Sequence, residues 1–299
     1  MAKQTEAARR QRRNFLKAAG AAAVTLVTTK GSFGQGAPAP APAKDALQPA
    51  RRYTEPIDRG LWITWYDLPP EGRDFYLSWL HGTYIPDILK RPGYLWAAHY
   101  ATRETQRPAN ATPLQHTNDP KVGTGYHFIL IIAAKDTLLF GNPVPSAFNA
   151  SLPETSQRML AMRMGERVNI MTEACRCDGQ ANATNKGRII ASACIQLGSF
   201  NCPVEYEEEM HGGYVQQRMP AHCDAASCIR VRKLNSVAGW AKHGILYEYA
   251  SLEGFNKDYE TANAKSPLGL RGHSVVSMLV HAPNGPNLGV RIWPPIPKA

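Results

Sequence analysis

The residues that could do chemistry in this chain are histidines and phenols at short spacing. His81 and Tyr84 stand three apart, on one face of a predicted helix. Together they form a candidate proton relay, with imidazole as general base near neutral pH and phenol as donor to a developing oxyanion. His127 lies in the most apolar run of the chain, residues 126–134, where alternation puts it on one face with Ile129 and Ile131. His211 and Tyr214 repeat the His81/Tyr84 spacing 130 residues later. His81, Tyr84 and His127 are therefore the catalytic candidates. Trp65, Trp79, Trp96, His211 and Tyr214 are candidates for lining an aromatic ligand pocket.

Each candidate also has a purely structural reading, which the sequence leaves open. His81-Gly82 reads as a helix C-terminal turn, with glycine supplying a left-handed residue and an imidazolium favoured by the dipole. His211 has Glu207 and Glu208 one turn back, which fits a solvated acidic face. His127 fits an interior histidine with satisfied nitrogens. Phosphate-loop, Gly-x-Gly-x2-Gly and Gly-x-Ser-x-Gly patterns are absent from the sequence, which removes nucleotide-dependent and α/β-hydrolase readings. No cofactor is required, no metal site is expected, and haem stays open through one of nine histidines, without a Cys-x2-Cys-His attachment motif.

The elements that must position these groups follow a leader. Arg12, Arg13, Asn14, Phe15, Leu16 and Lys17 form a twin-arginine pattern ahead of the apolar run 18–27. Residues 1–43 read as a cleaved signal and 44–59 as a linker. The expected location is the periplasm or the outside of the cell, reached through the twin-arginine export machinery with no stable membrane insertion. The whole chain carries 34 basic and 24 acidic residues; from Lys44 onward 27 and 23 remain, so the net charge falls from +10 to +4. That argues against a nucleic-acid partner. Six cysteines between 175 and 228 in an exported chain read first as disulfides, then as free thiols, and last as a metal site.

The remaining chain predicts an α+β fold. Strands are expected over 61–68, 94–100, 126–134 and 167–172, with helices over 71–89 and 153–165. Pro86 must kink or restart the first helix. This β-α-β-β-α-β order is the ferredoxin-like one. A second copy follows, with strands over 188–197, 228–234 and 244–250, helices over 204–217 and 252–264, and one or two strands over 275–293. The expected layout is a first module at 60–174 and a second at 175–299, packed sheet to sheet as an internal barrel around a cavity.

The stretch from Phe75 through Trp79, Tyr84, Ile85, Pro86, Ile88, Leu89, Pro92 and Gly93 to Tyr100 resembles the EthD-like branch of the dimeric α+β barrel superfamily. The match covers residues 60–100 well and 188–234 in outline. Where that family most often has histidine, this chain has Tyr84, and Tyr214 in the second copy. The resemblance implies a barrel with a pocket for a small, often aromatic, molecule, and chemistry ranging over cofactor-free oxygenation, isomerisation, dehydration and, in related branches, haem work. The expected function is thus an exported small-molecule enzyme, a lyase, isomerase or cofactor-free oxygenase using acid/base chemistry. The rival is a non-catalytic periplasmic protein that binds a small ligand or haem. An oligomer is open, as is a purely structural role for residues 188–299.

Overall fold

The computed structural model describes residues 57–104, 113–185, 192–266, 269–270 and 273–296. The expected leader and all but the last three residues of the expected linker lie outside these, as do residues 188–191 of one expected strand.

The eight long strands are β1 (Gly60–Asp67), β2 (Tyr94–Arg103), β3 (Phe128–Ala134), β4 (Met164–Asp178), β5 (Cys194–Asn201), β6 (Cys228–Ala238), β7 (His243–Tyr249) and β8 (Asn287–Trp293), beside four two-residue strands among the described residues. They hydrogen-bond in the ring order β8-β2-β3-β1-β4-β6-β7-β5 and back to β8, all antiparallel, so the fold is α+β with an eight-stranded barrel. Closure leaves these strands no unpaired edge along the ring. The amino-terminal half supplies β2-β3-β1-β4 and the carboxy-terminal half β6-β7-β5-β8. β4 is shared: its first part pairs with β1 and its last part with β6, and the expected junction at 174/175 falls inside it.

Side-chain alternation sorts the strands into two faces. Leu61, Ile63 and Trp65 of β1 point into the barrel with Ile129, Ile131 and Leu246. Trp62 and Tyr66 point outward with Leu130 and Ile132, against the helix that follows β1. The space expected as a ligand cavity between two facing sheets is occupied by side chains: apolar residues share the barrel interior with the buried polar groups Arg167, Asn169, Glu173, Arg232 and Glu248. A second set of polar groups sits between the outer faces and the helices.

The first helix, α1, runs from Arg73 to Leu89, and its counterpart α4 from Glu207 to Cys223. Each contains one wide π turn, Leu80–Tyr84 and Tyr214–Arg218, with a proline at the second residue after it. Pro86 and Pro220 have no N–H and would clash with the carbonyl four residues back. The wide turn absorbs this: Ile85 N–H donates to the Leu80 carbonyl and Met219 N–H to that of Tyr214, so both helices continue. Gly82 therefore lies mid-helix, outside the positive-φ glycines, and the C-terminal-turn reading of His81-Gly82 fails. Pro145–Ala150 (α2), Glu154–Leu160 (α3) and Leu252–Lys265 (α5) complete the outer layer.

The internal repeat is also corrected. Subtracting the starts of matching elements, 60 from 194, 73 from 207 and 94 from 228, gives 134 each time, not the 130 that separates His81 from His211. The structural counterpart of His81 is Val215, and that of Tyr84 is Arg218. The His-Gly echo at 211 is one helical turn out of register.

Between the halves lies a buried ion network. Arg232 donates to Glu248 at 2.8 Å and to Asp58 at 2.9 Å, while Arg176 donates to Asp58 at 2.7 Å and to Glu173 at 2.6 Å. Burial alone would raise the Asp58 pKa, but Arg232 and Arg176 outweigh it and hold the carboxyl well below its usual range. The expected disulfides do not form: all six cysteines are free thiols. The Cys223 thiol, at the end of α4, donates to the Cys177 carbonyl at 2.9 Å and packs in the core.

Candidate active site

The site lies on the outer face of the amino-terminal sheet, under the π turn of α1. Tyr66 near the end of β1 and His99 on β2 share this face by alternation. The wide turn lowers His81 onto them. His81 Nε2 is 2.9 Å from His99 Nδ1, and His99 Nε2 is 2.9 Å from the Tyr66 hydroxyl, forming one continuous chain. His99 and Tyr66 have 0 % exposure, whereas His81 is half-buried at the outer end. Phe128 stacks on His99 at 5.4 Å and 26°, and Trp293 on His81 at 6.0 Å and 21°. Arg163 holds the inner end: its guanidinium lies 4.6 Å over the Tyr66 ring, donates to the Tyr76 hydroxyl at 2.7 Å, and pairs with Glu166 at 2.6 Å.

Burial sets the protonation states. It lowers the His81 pKa to about 4. It pushes His99 well below the ordinary value, helped by His81 and Arg163, and drives Tyr66 well above its own, helped by the Tyr76 hydroxyl. At neutral pH the chain is therefore phenol, neutral imidazole, neutral imidazole. Each internal contact has one donor and one acceptor, and either proton arrangement satisfies all of them. A proton given up at the outer nitrogen of His81 is replaced from His99, whose proton is replaced from Tyr66. A proton taken up there is shared across the His81–His99 contact. The geometry is that of a short proton relay from a buried phenol to the surface.

The sequence candidates fare unequally. His81 is in the chain. Tyr84 is not its partner: the wider turn carries it further round the helix, and its hydroxyl donates to Asn149 of α2 at 2.9 Å. Trp79 packs on Tyr76 and Tyr84 in the layer above. His127 is corrected. It precedes β3, is exposed, and pairs with Asp67 at 2.8 Å, because Asp67 collects the backbone N–H groups of residues 126 and 127 and ends the strand there. Trp65 faces the barrel interior under Arg167. Trp96 donates its indole N–H to Asp58 at 3.0 Å. Tyr214 is buried against Phe200 at 6.2 Å, and His211 is exposed beside a groove in the other half. His99, Tyr66 and Arg163 were missed. The available signal for His99 was a histidine in an otherwise apolar and aromatic strand, one position from the Tyr100 of the recognised pattern.

The histidines of this site and of the core next to α5 do not fit a haem. Among the described residues, His99 and His222 are fully buried and already use both ring nitrogens, the latter on Tyr249 at 2.8 Å and Asn263 at 3.0 Å. Neither offers iron a lone pair. His81 spends one nitrogen on His99 and a ring face on Trp293. Among the described residues no group of three or more His, Cys, Asp or Glu is placed to hold a metal ion.

No family model matches the chain, and no curated protein does. Solved structures similar to it include a DyP-type peroxidase from Mycobacterium smegmatis, 10 % identical, covering 81 % of this chain and 97 % of that one at a TM-score of 0.46. An anthrone oxidase-like protein is 8 % identical over 80 % of this chain and 92 % of its own, TM-score 0.45. A mutant chlorite dismutase from Candidatus Nitrospira defluvii is 12 % identical over 80 % and 92 %, TM-score 0.43. At these scores the likeness carries no argument about chemistry, and the case for function rests on the chain's own residues.

Proposed function

We propose that this chain is an exported enzyme that transfers protons to or from a small hydrophobic or aromatic compound, as a lyase, isomerase or cofactor-free oxygenase. The observation that carries this reading is the Tyr66–His99–His81 chain, which connects a fully buried phenol to a half-buried imidazole. Such a chain has no evident use in packing, since apolar residues would fill the space at less desolvation cost. Its surroundings, Phe128 and Trp293, suit an apolar partner. His81 is the group that meets substrate; His99 and Tyr66 position it and supply or share its proton. We read the halves, residues 60–174 and 175–299, as tandem ferredoxin-like modules of the EthD-like kind, and residues 1–43 as a twin-arginine leader that sends the folded protein to the periplasm.

The test is turnover of a panel of small phenols, quinols and enolisable ketones, followed by mass spectrometry and oxygen uptake. Wild-type protein is expected to deplete one class. His81→Gln should lose about 10²–10⁴-fold of that rate, and Tyr84→Phe should keep it. Retention of a panel compound without turnover, unchanged in His81→Gln, would instead support a binding protein.

A further inference from the structure

The carboxy-terminal half has its own polar group in the place His99 occupies, and it is chemically different. Lys233 stands 134 residues after His99, on the outer face of β6 under α4, and is 2 % exposed. It lines a groove of about 350 Å³ with Met210, Asn235, Lys242, His243 and Glu207. Its Nζ donates to Asn235 at 3.3 Å, and among the described residues no carboxylate lies within ion-pair distance of it.

His243 completes the arrangement. It stands opposite Asn235 in the β6–β7 register while Lys233 stands opposite Ile245, so the lysine and the histidine are diagonal neighbours on one face. Glu207 accepts from Lys242 through one oxygen at 2.6 Å and from His243 Nε2 through the other at 3.1 Å. That fixes the tautomer: Nε2 carries the proton, and Nδ1 presents a bare lone pair. Nδ1 is buried and has no hydrogen-bond partner, in a residue only 5 % exposed. A buried amine without a counter-ion and a buried base without a donor thus line the same groove.

We infer that Lys233 is the imine-forming amine of a second site that takes a small aldehyde or ketone, with His243 moving the proton. The Nζ lone pair forms the C–N bond as the carbonyl π bond breaks. The two N–H protons pass in turn by way of His243 Nδ1 to the oxygen, the C–O bond breaks and the oxygen leaves as water, so one carbonyl compound and one amine give one imine and one water. Glu207 and Glu208 on the groove make an anionic ligand the poorer fit. Burial lowers the Lys233 pKa; Cys175, Glu207 and Cys202 oppose this and Lys242 adds to it. Burial lowers His211 and His243, with Lys233 adding to it and, at His243, Glu207 opposing it. A surface lysine at pH 7.4 is neutral about one part in a thousand, so a lowered pKa enlarges the reactive fraction.

The test is reductive trapping of the full chain with benzaldehyde and cyanoborohydride at pH 7.4, followed by peptide mapping. A single adduct on Lys233, formed at least tenfold faster than on exposed Lys242, is expected. Lys233→Met should abolish it, and His243→Gln should slow it while leaving it on Lys233. Label spread over exposed lysines in proportion to exposure, or no label on Lys233, would overturn the inference. If Lys233→Met fails to fold, the adduct map of the unchanged chain decides. This site is independent of the His81 site, and failure here leaves that reading untouched.

Discussion

The two halves build the same layer twice and put different chemistry in it. At positions 134 apart, Tyr66 becomes Phe200, His99 becomes Lys233 and His81 becomes Val215, while Pro86 and Pro220 keep their place behind a π turn. In the first half three polar groups satisfy one another in a chain. In the second the chain is cut: a lysine stands without a carboxylate partner among the described residues, and an imidazole of the same face, His243, occupies the place of Phe128 against β5. The same strand–helix–strand layout thus holds a buried polar group in one place in both halves, and the local partners decide whether its nitrogens are paired, as in His99, or lack an ion-pair partner, as in Lys233.

The largest expected effect tests whether the halves are one folding unit. Asp58→Asn removes the carboxylate that both Arg176 of the shared strand β4 and Arg232 of β6 hold. It should cost about 3–5 kcal/mol in denaturant unfolding, with a single transition. Two separated transitions would show that the comparison is between independent domains. The wild-type contribution of Asp58 is present above the unfolded carboxyl pKa and is lost as pH falls toward its depressed folded value. The variant should accordingly have a flatter acid-unfolding profile.

The next effect sets the equivalent positions against each other. His99→Phe leaves the Tyr66 hydroxyl and His81 Nε2 unpaired, and should cost about 1–3 kcal/mol. Lys233→Met removes a buried amine with no ion-pair partner, and should be neutral or stabilising. Equal losses at both positions would erase the distinction drawn between them.

Smaller still is a pH effect shared by both halves. His81 and His222 are lowered by burial to about 4 and about 3, while the unfolded chain titrates near 6.5. The unfolded state therefore binds more protons between these values, so stability is complete above about pH 6.5 and declines as pH falls toward 4. His99→Phe should flatten part of that slope, measured as unfolding free energy against pH. The smallest effect is outside both sites: His127→Ala loses an exposed pair with Asp67 and should change stability by less than about 1 kcal/mol, with no effect on turnover.

Much of the fold was legible in the sequence. Alternation and proline placement located β1, β2, β3, β6 and β7, and Pro86 announced the disturbance in α1. The site was half legible. His81 was evident from local spacing, but its partner was chosen by ideal helical geometry, and a π turn, which depends on Pro86 and on packing, moved Tyr84 elsewhere. His99 and Tyr66 meet His81 only through sheet register and helix docking, both of which are long-range. His127 misled because an apolar run does not reveal where its strand ends, and here a carboxylate on the neighbouring strand, Asp67, ended it. The cysteines misled because composition cannot tell a packed thiol from a paired one.

The most direct test of the relay is 15N NMR of the histidine side chains at pH 7, with and without Tyr66→Phe. Both rings of the chain should be neutral, His81 Nε2 and His99 Nδ1 should show coupling across their hydrogen bond, and His81 should titrate near pH 4. Tyr66→Phe should shift the His99 Nε2 resonance and, through the chain, that of His81. A His81 that titrates near 6.5, without coupling to His99 and indifferent to Tyr66, would contradict the relay.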